Sequence, residues 1–171
     1  MTGNKGFTLI EMLVAIAIFV FTVASVSGVF VTALKAQRRS IAYQQLLDQS
    51  SYLMEYISRS IRMAKKDNIS GTCTGTAKLN YEFSGQCLKF RNYKDLCQQF
   101  CLDGSRMKNE KGEYLTSDSL NVLSFSVTLS GATQNDDIQP MTIISIDIQG
   151  KGDAAIKIQT SVSQRNLDVE K

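Results

Sequence analysis

The sequence predicts an α+β fold: one long amino-terminal α-helix, apolar in its first half and packed by its second half on an antiparallel β-sheet. Three observations carry that expectation. Residues Phe7 to Leu34 contain no Lys, Arg or Asp and a single Glu. The stretch that follows, to Lys66, places apolar side chains at steps of three and four. Beyond Lys66 the texture changes to short runs of β-forming residues broken by Gly, Asn, Asp and Ser.

The apolar run comes first. At about 1.5 Å per helical residue it spans roughly 42 Å, more than the roughly 30 Å hydrocarbon core of a bilayer. It is long enough to cross a membrane. Removing it leaves about 137 residues of ordinary polarity, enough for the core of a small soluble domain. No Pro occurs before Pro140, and Gly28 is the only Gly between Thr8 and Lys66, so nothing local stops a helix there. One helix of about 59 residues, roughly 90 Å long, is expected. Its later part carries Tyr43, Leu46, Leu47, Ser50, Leu53, Met54, Ile57, Ile61 and Ala64 on one stripe. Asp48, Glu55, Arg59, Arg62 and Lys66 fall on the other face, with Glu55 and Arg59 spaced as an i,i+4 pair. The stripe is wider than a coiled-coil seam and lasts only about three heptads, so the chain's own domain is its expected partner.

Six β-type runs follow: Lys78 to Phe83, Gln86 to Tyr93, Cys97 to Leu102, Asn121 to Leu129, Met141 to Gln149 and Ala155 to Ser163. The last three alternate with period two. Val122, Ser124, Ser126 and Thr128 oppose Leu123, Phe125, Val127 and Leu129, and Ile144, Ile146 and Ile148 oppose Ser145, Asp147 and Gln149. Such strands bury one face of an antiparallel sheet, and the helical stripe is the obvious cover. The polar segment Asp103 to Asp118 reads as a loop or small hairpin.

Cys73, Cys87, Cys97 and Cys101 lie within 29 residues of one another, after the apolar run. An even number so placed favours disulfides in an oxidising compartment over reduced core thiols. Zinc is disfavoured, because the spacings lack two close pairs and no His is present. A hairpin turning near Tyr93, Lys94 and Asp95 sets residues whose numbers sum to about 188 opposite each other. Cys87 then faces Cys101, and Cys73 is left for Cys97. Connectivity is not fixed by sequence. A Cys97–Cys101 bond is the alternative and would need a helical turn. Lys5 precedes the apolar segment while Lys35, Arg38 and Arg39 follow it, which by the charge rule would hold the larger domain in the cytoplasm. The cysteines point the other way and are weighted more, since long domains translocate against that bias.

Function classes are narrowed by what is missing. With no His there is no Ser/His/Asp or Cys/His nucleophile arrangement and no HExxH metal site. Neither GxxxxGK[ST] nor GxGxxG occurs. A formal charge of +3 is too mild to imply nucleic-acid binding. Asp136 and Asp137 lack the spaced donors of a calcium loop and read as a solvated turn. Asn68-Ile69-Ser70 matches a glycosylation sequon to which no role is given. The expectation is no enzyme, no catalytic residue, no metal and no cofactor.

The residues Lys5, Gly6, Phe7, Thr8, Leu9, Ile10 and Glu11 closely resemble the processing and methylation signal of type IV prepilins and pseudopilins. The resemblance continues through the long helix, and the carboxyl-terminal Ile158 to Asp168, with Arg165 and Asn166, is similar to the closing strand of minor pilins and pseudopilins. It implies a pilin-like fold in which residues 1–6 are a leader with Lys5 as its basic residue. Residues 7–34 form the transmembrane or filament-core helix, 35–66 its amphipathic continuation, and 67–171 a disulfide-containing β-rich domain. Prepilin peptidase would cut between Gly6 and Phe7 and methylate the Phe7 amine. Glu11, fifth in the mature chain, would pair with the amine of a neighbouring subunit during assembly. Gly28 stands where many major pilins carry Pro and gives the helix a point of flexibility without a lost donor.

The implied partners are prepilin peptidase, other pilin or pseudopilin subunits, an inner-membrane assembly platform and membrane lipid. Nucleic acid enters only through a DNA-uptake role. The implied location is the inner membrane, single-pass, amino terminus cytoplasmic and globular domain outside, and then the pilus or pseudopilus. The expected function is that of a structural, minor subunit of a type IV pilus or type II secretion-like pseudopilus. A tip-located subunit that binds DNA, a surface or a secreted substrate is the alternative.

Overall fold

The structure, a computed structural model, describes residues 6–67, 71–76, 78–134 and 138–165. The chain divides into two compact units, Met1–Ile41 and Ala42–Lys171. Helix α1, Leu9–Arg62, supplies the first unit's regular structure and continues into the second. Seven strands follow: β1 Tyr81–Ser84, β2 Cys87–Arg91, β3 Cys97–Asp103, β4 Arg106–Lys108, β5 Asn121–Ser130, β6 Met141–Gln149 and β7 Ala155–Ser163.

In the first unit every described residue is exposed, and this is the one helix among the described residues long and apolar enough to cross a membrane. Four of its hydroxyls are satisfied within the helix. The hydroxyls of Thr22, Ser25 and Ser27 donate to the carbonyls of Ile18, Phe21 and Val23 at 2.8–2.9 Å, and Thr32 donates to Val29 at 2.7 Å. Hydroxyls bonded in this way do not present unpaired donors to hydrocarbon. The helix runs through Gly28 without a break.

In the second unit Leu46, Ser50, Leu53, Met54, Ile57 and Ile61 of α1 are buried. The Ser50 hydroxyl donates back to the Leu46 carbonyl, so a polar residue occupies the stripe without an orphan donor. The stripe is narrower than the sequence predicts: Tyr43 is 40% and Leu47 44% exposed. Both stand at its edge, and Tyr43 turns its hydroxyl to the Ala155 carbonyl, 3.2 Å away.

The strands make two antiparallel sheets where the sequence suggests one. Their orders are β1-β2-β3-β4 and β5-β6-β7. Side chains of α1 and of both sheets share a single core, with Tyr81, Leu88, Phe90, Phe100 and Met107 from the first sheet and Val122, Phe125, Ile144, Ile146 and Ile148 from the second. Edge-to-face contact of Phe83 with Phe125 joins the sheets, ring centres 5.6 Å apart. The segment expected to be a loop or small hairpin contributes β4, paired with β3 through Leu102 and Met107.

Strand β6 alternates as its sequence predicts, burying Thr142, Ile144, Ile146 and Ile148. Strand β5 does not. A bulge lies between Val122 and Ser124, so Val122 is 2% exposed and Leu123 61%. One extra residue in a strand moves the side chains before it to the opposite face, and Val122 thereby joins Phe125 in the core.

Helix α1 ends at Arg62, four residues before the expected Lys66. No glycine stops it. Its last carbonyls are taken by distant groups: Tyr81 Oη donates to Ile61 at 3.0 Å and Arg165 N to Arg62 at 2.9 Å, and two residues past the end Gln164 Nε2 donates to Ala64 at 2.9 Å. Burial pushes the Tyr81 phenol well above its ordinary value, which keeps it a neutral donor. Lys65 then pairs with Arg91 as an isolated bridge and leaves the helix for the sheet.

Ile57 is fully buried at the centre of the stripe, so Ile57→Ala is expected to destabilise the domain by about 2–5 kcal/mol. Leu47→Ala, at the exposed edge, should cost less than about 1 kcal/mol. Urea unfolding of the detergent-solubilised protein, followed by near-ultraviolet circular dichroism, measures both.

Candidate functional site

The Gly6–Phe7 peptide bond lies just ahead of helix α1, whose first residue is Leu9. Residues 6–8 are non-helical and exposed, and Phe7 is 75% exposed. Gly6 is not required by its own conformation, since its φ is not positive. Nor is it required by packing, because a Cβ there would meet no atom within 4 Å. The fold itself makes no demand for glycine at this position. Lys5 lies outside the described residues.

Thr8 begins the helix. Its carbonyl accepts from Glu11 N at 3.1 Å and Met12 N at 3.3 Å, and its hydroxyl oxygen accepts from Glu11 N at 3.4 Å. Thr8-Leu9-Ile10-Glu11 thus has the S/T-x-x-E spacing of a capping box, with Thr8 at the N-cap and Glu11 at the third helical position. An acidic side chain in the first turn also meets the positive end of the helix dipole. Sequence reasoning singled out Glu11 and missed Thr8, although the spacing that reveals the cap is visible in the sequence. Gly28 lies within α1, and nothing stands within 4 Å of a Cβ built on it.

The four cysteines are far from this segment in sequence and belong to the second unit. Cys73 is bonded to Cys97 and Cys87 to Cys101. Cys87 and Cys101 face each other across the β2–β3 hairpin. Cys97 and Cys101 both lie on strand β3, where a four-residue separation is about 13 Å, too far for a bond. The Cys73–Cys97 bond ties the segment after α1 to the sheet. In that segment the buried Asp67 accepts from Cys73 N at 2.9 Å and Thr74 N at 3.3 Å. No cluster of three metal-ligating acidic, Cys or His side chains exists among the described residues. Asp136, Asp137, the sequon at Asn68 and Asn166 lie outside them.

Residues 1–27 match the family model of the prokaryotic N-terminal methylation motif. The chain carries the type IV prepilin signal. A comparison with curated proteins and one with solved structures each find no match. The prepilin signal supports a type IV pilin or pseudopilin, a structural protein processed by prepilin peptidase and assembled with other pilins. Together with the apolar helix it fits membrane anchoring.

Beside Cys97 the β2–β3 turn is held by charge. Asp95, at φ 63°, accepts from Lys65 Nζ at 2.9 Å and lies 3.3 Å from Arg91 Nε. The Lys65 hydrogen bond is the main cause holding the Asp95 carboxyl below its ordinary 3.8. A depressed carboxylate supports the turn above pH 3.8 and loses that contribution as pH falls through the lower, folded value. An NMR titration of Asp95 should therefore show a midpoint below 3.8 that moves upward in Lys65→Met.

Proposed function

We propose that the protein is a minor subunit of a type IV pilus or a type II secretion-like pseudopilus, cut and methylated at Phe7 and polymerised through α1. The observation that carries this reading is the exposed, non-helical Gly6–Phe7 bond immediately before an apolar helix with Glu11 in its first turn. Water adds across the Gly6 carbonyl and the bond to Phe7 nitrogen breaks, leaving a carboxylate on Gly6 and an amine on Phe7. Transfer of a methyl group from a methyl donor to that amine, with loss of a proton, leaves a secondary amine that still carries positive charge when protonated.

Glu11 gives the helix its assembly role. An isolated carboxylate at membrane depth costs several kcal/mol or becomes protonated, and a nearby cation relieves that cost. Residues 7–34 contain no Lys or Arg, and the resemblance to prepilins supplies the terminal amine of an adjacent subunit as that cation. The prepilin peptidase acts from the cytoplasmic side, the disulfide-bonded domain faces outward, and an inner-membrane platform draws the helix from lipid into the filament. The minor rank rests on the carboxyl-terminal similarity of Ile158 to Asp168, together with the length of the chain and the amphipathic stretch from Leu47 to Lys66.

A second reading is favoured by a cleft of about 450 Å³ on the globular domain, lined by residues that include Tyr56, Arg59, Tyr93, Lys94, Gln98 and Glu110. It would suit a tip subunit that binds a surface or a secreted substrate. Immunogold labelling separates the readings: label along filaments fits a shaft subunit, label confined to ends a tip subunit.

Mass spectrometry of the mature protein should find methylated Phe7 at the amino terminus. An intact Met1 or a cut beyond residue 30 contradicts both readings. Glu11→Ala should be cleaved normally and be absent from sheared filaments. Normal amounts in filaments would remove Glu11 from the assembly role.

A further inference from the structure

We infer that Thr8 is a positioning residue for processing: its cap starts the helix at Leu9 and so keeps the Gly6–Phe7 bond extended for the peptidase. The inference rests on cleavage at Gly6–Phe7 as proposed above. It adds the reason that bond is presented in a cleavable form on a helix that otherwise has every incentive to continue.

That incentive is physical. The first four amides of a helix lack intrahelical acceptors, and in or beside a bilayer each unpaired group is costly. Growth of the helix toward the amino terminus would pair more of them, and among the described residues a Cβ built on Gly6 would meet no atom within 4 Å to oppose it. If α1 began early enough to include Gly6, the Gly6 carbonyl would accept the amide of Ile10, by the i to i+4 pattern of an α-helix. The scissile carbonyl would then be hydrogen-bonded along the helix axis and enclosed by the first turn. A protease needs that carbonyl free for attack by water.

Thr8 supplies the stop. Its hydroxyl oxygen takes the Glu11 amide at 3.4 Å and its carbonyl takes the Glu11 and Met12 amides at 3.1 and 3.3 Å. A side-chain acceptor at this position favours a helix that starts one residue later over one that runs through. The cap sits one residue beyond the bond to be cut, with Gly6 and Phe7 outside the helix and exposed. Alanine at this position removes the acceptor and is itself the best helix former. Asn4 is then the next good cap residue upstream in the sequence, and a helix capped there would contain both Gly6 and Phe7.

The experiment compares the full-length protein with Thr8→Ala, Thr8→Ser and Thr8→Asn in membranes containing prepilin peptidase. Loss of the leader is followed over time by intact-mass spectrometry. Thr8→Ala should be cut about fivefold more slowly, the shift expected for loss of one cap. Thr8→Ser and Thr8→Asn, which restore an acceptor, should be cut at close to the wild-type rate. The ¹³C shift of the Gly6 carbonyl in uncleaved, detergent-solubilised protein should be non-helical in wild type, Ser and Asn variants and move toward helical values in Thr8→Ala.

Three results overturn the inference: wild-type cleavage of Thr8→Ala, slow cleavage of Thr8→Ser and Thr8→Asn alike, or slow cleavage of Thr8→Ala with no helical shift at Gly6. The last would mean that the peptidase reads the threonine directly. Failure of the wild-type chain to be cut at Gly6–Phe7 instead removes the cleavage reading on which the inference rests, and the carbonyl shifts still report whether the cap sets the helix start.

Discussion

The buried stripe of α1 is the constraint on which the globular domain depends. Leu46, Leu53, Met54, Ile57 and Ile61 enter the same core as residues from both sheets, while each sheet pairs strands only within itself. Without the stripe, the inner faces of two small sheets would be left against water. Burial of large apolar side chains at roughly 1.5–3 kcal/mol each makes that stripe the dominant local contribution. The salt bridges on the surface weigh much less. Glu55–Arg59, at 2.9 Å between largely exposed side chains, belongs to the class worth a few tenths of a kcal/mol.

The same helix answers to two different solvents, and its sequence shows the change. Up to Leu34 the solution is to carry almost no polar side chains and to bond the few hydroxyls back to the helix. Charges return from Lys35 on, and from Ala42 on apolar residues gather on one face of the helix. A helix obeying only the first rule would bury no specific partner, and one obeying only the second could not remain in lipid. Glu11 breaks the first rule as the one acidic side chain up to Leu34, whereas the hydroxyls of Ser25 and Ser27 are bonded back to the helix.

Legibility in the sequence follows the range of the interaction responsible. The apolar segment, the amphipathic stripe and the alternation of β6 depend on spacing within one element, and each is visible in the residues. The prepilin signal is legible for the same reason, because the motif is contiguous. The bulge at Val122 is set by pairing with β6 and leaves no mark on an alternation that reads smoothly in either phase. The division into two sheets and the recruitment of Arg106 to Lys108 as β4 depend on which edges meet, which no single strand encodes. The end of α1 is the clearest case. Its last carbonyls are closed by Tyr81 and Arg165, and the chain just past it by Gln164, a hundred residues away in sequence, so no local stop signal was needed.

The two ends of α1 therefore stop by opposite means. The start is written locally, in a threonine and a glutamate three residues apart, and needs no folded domain. The finish is written in the tertiary structure and forms only when β1 and the segment after β7 are in place. This division suits a chain whose amino terminus must be recognisable before or apart from the folding of its domain, since the helix start carries its geometry with it. It also means that changes in the globular domain leave the helix start intact. A defect at Tyr81 or Gln164 would loosen the end of the helix and the core around it, while the cap at Thr8, held by atoms of residues 8 to 12 alone, would keep the same form.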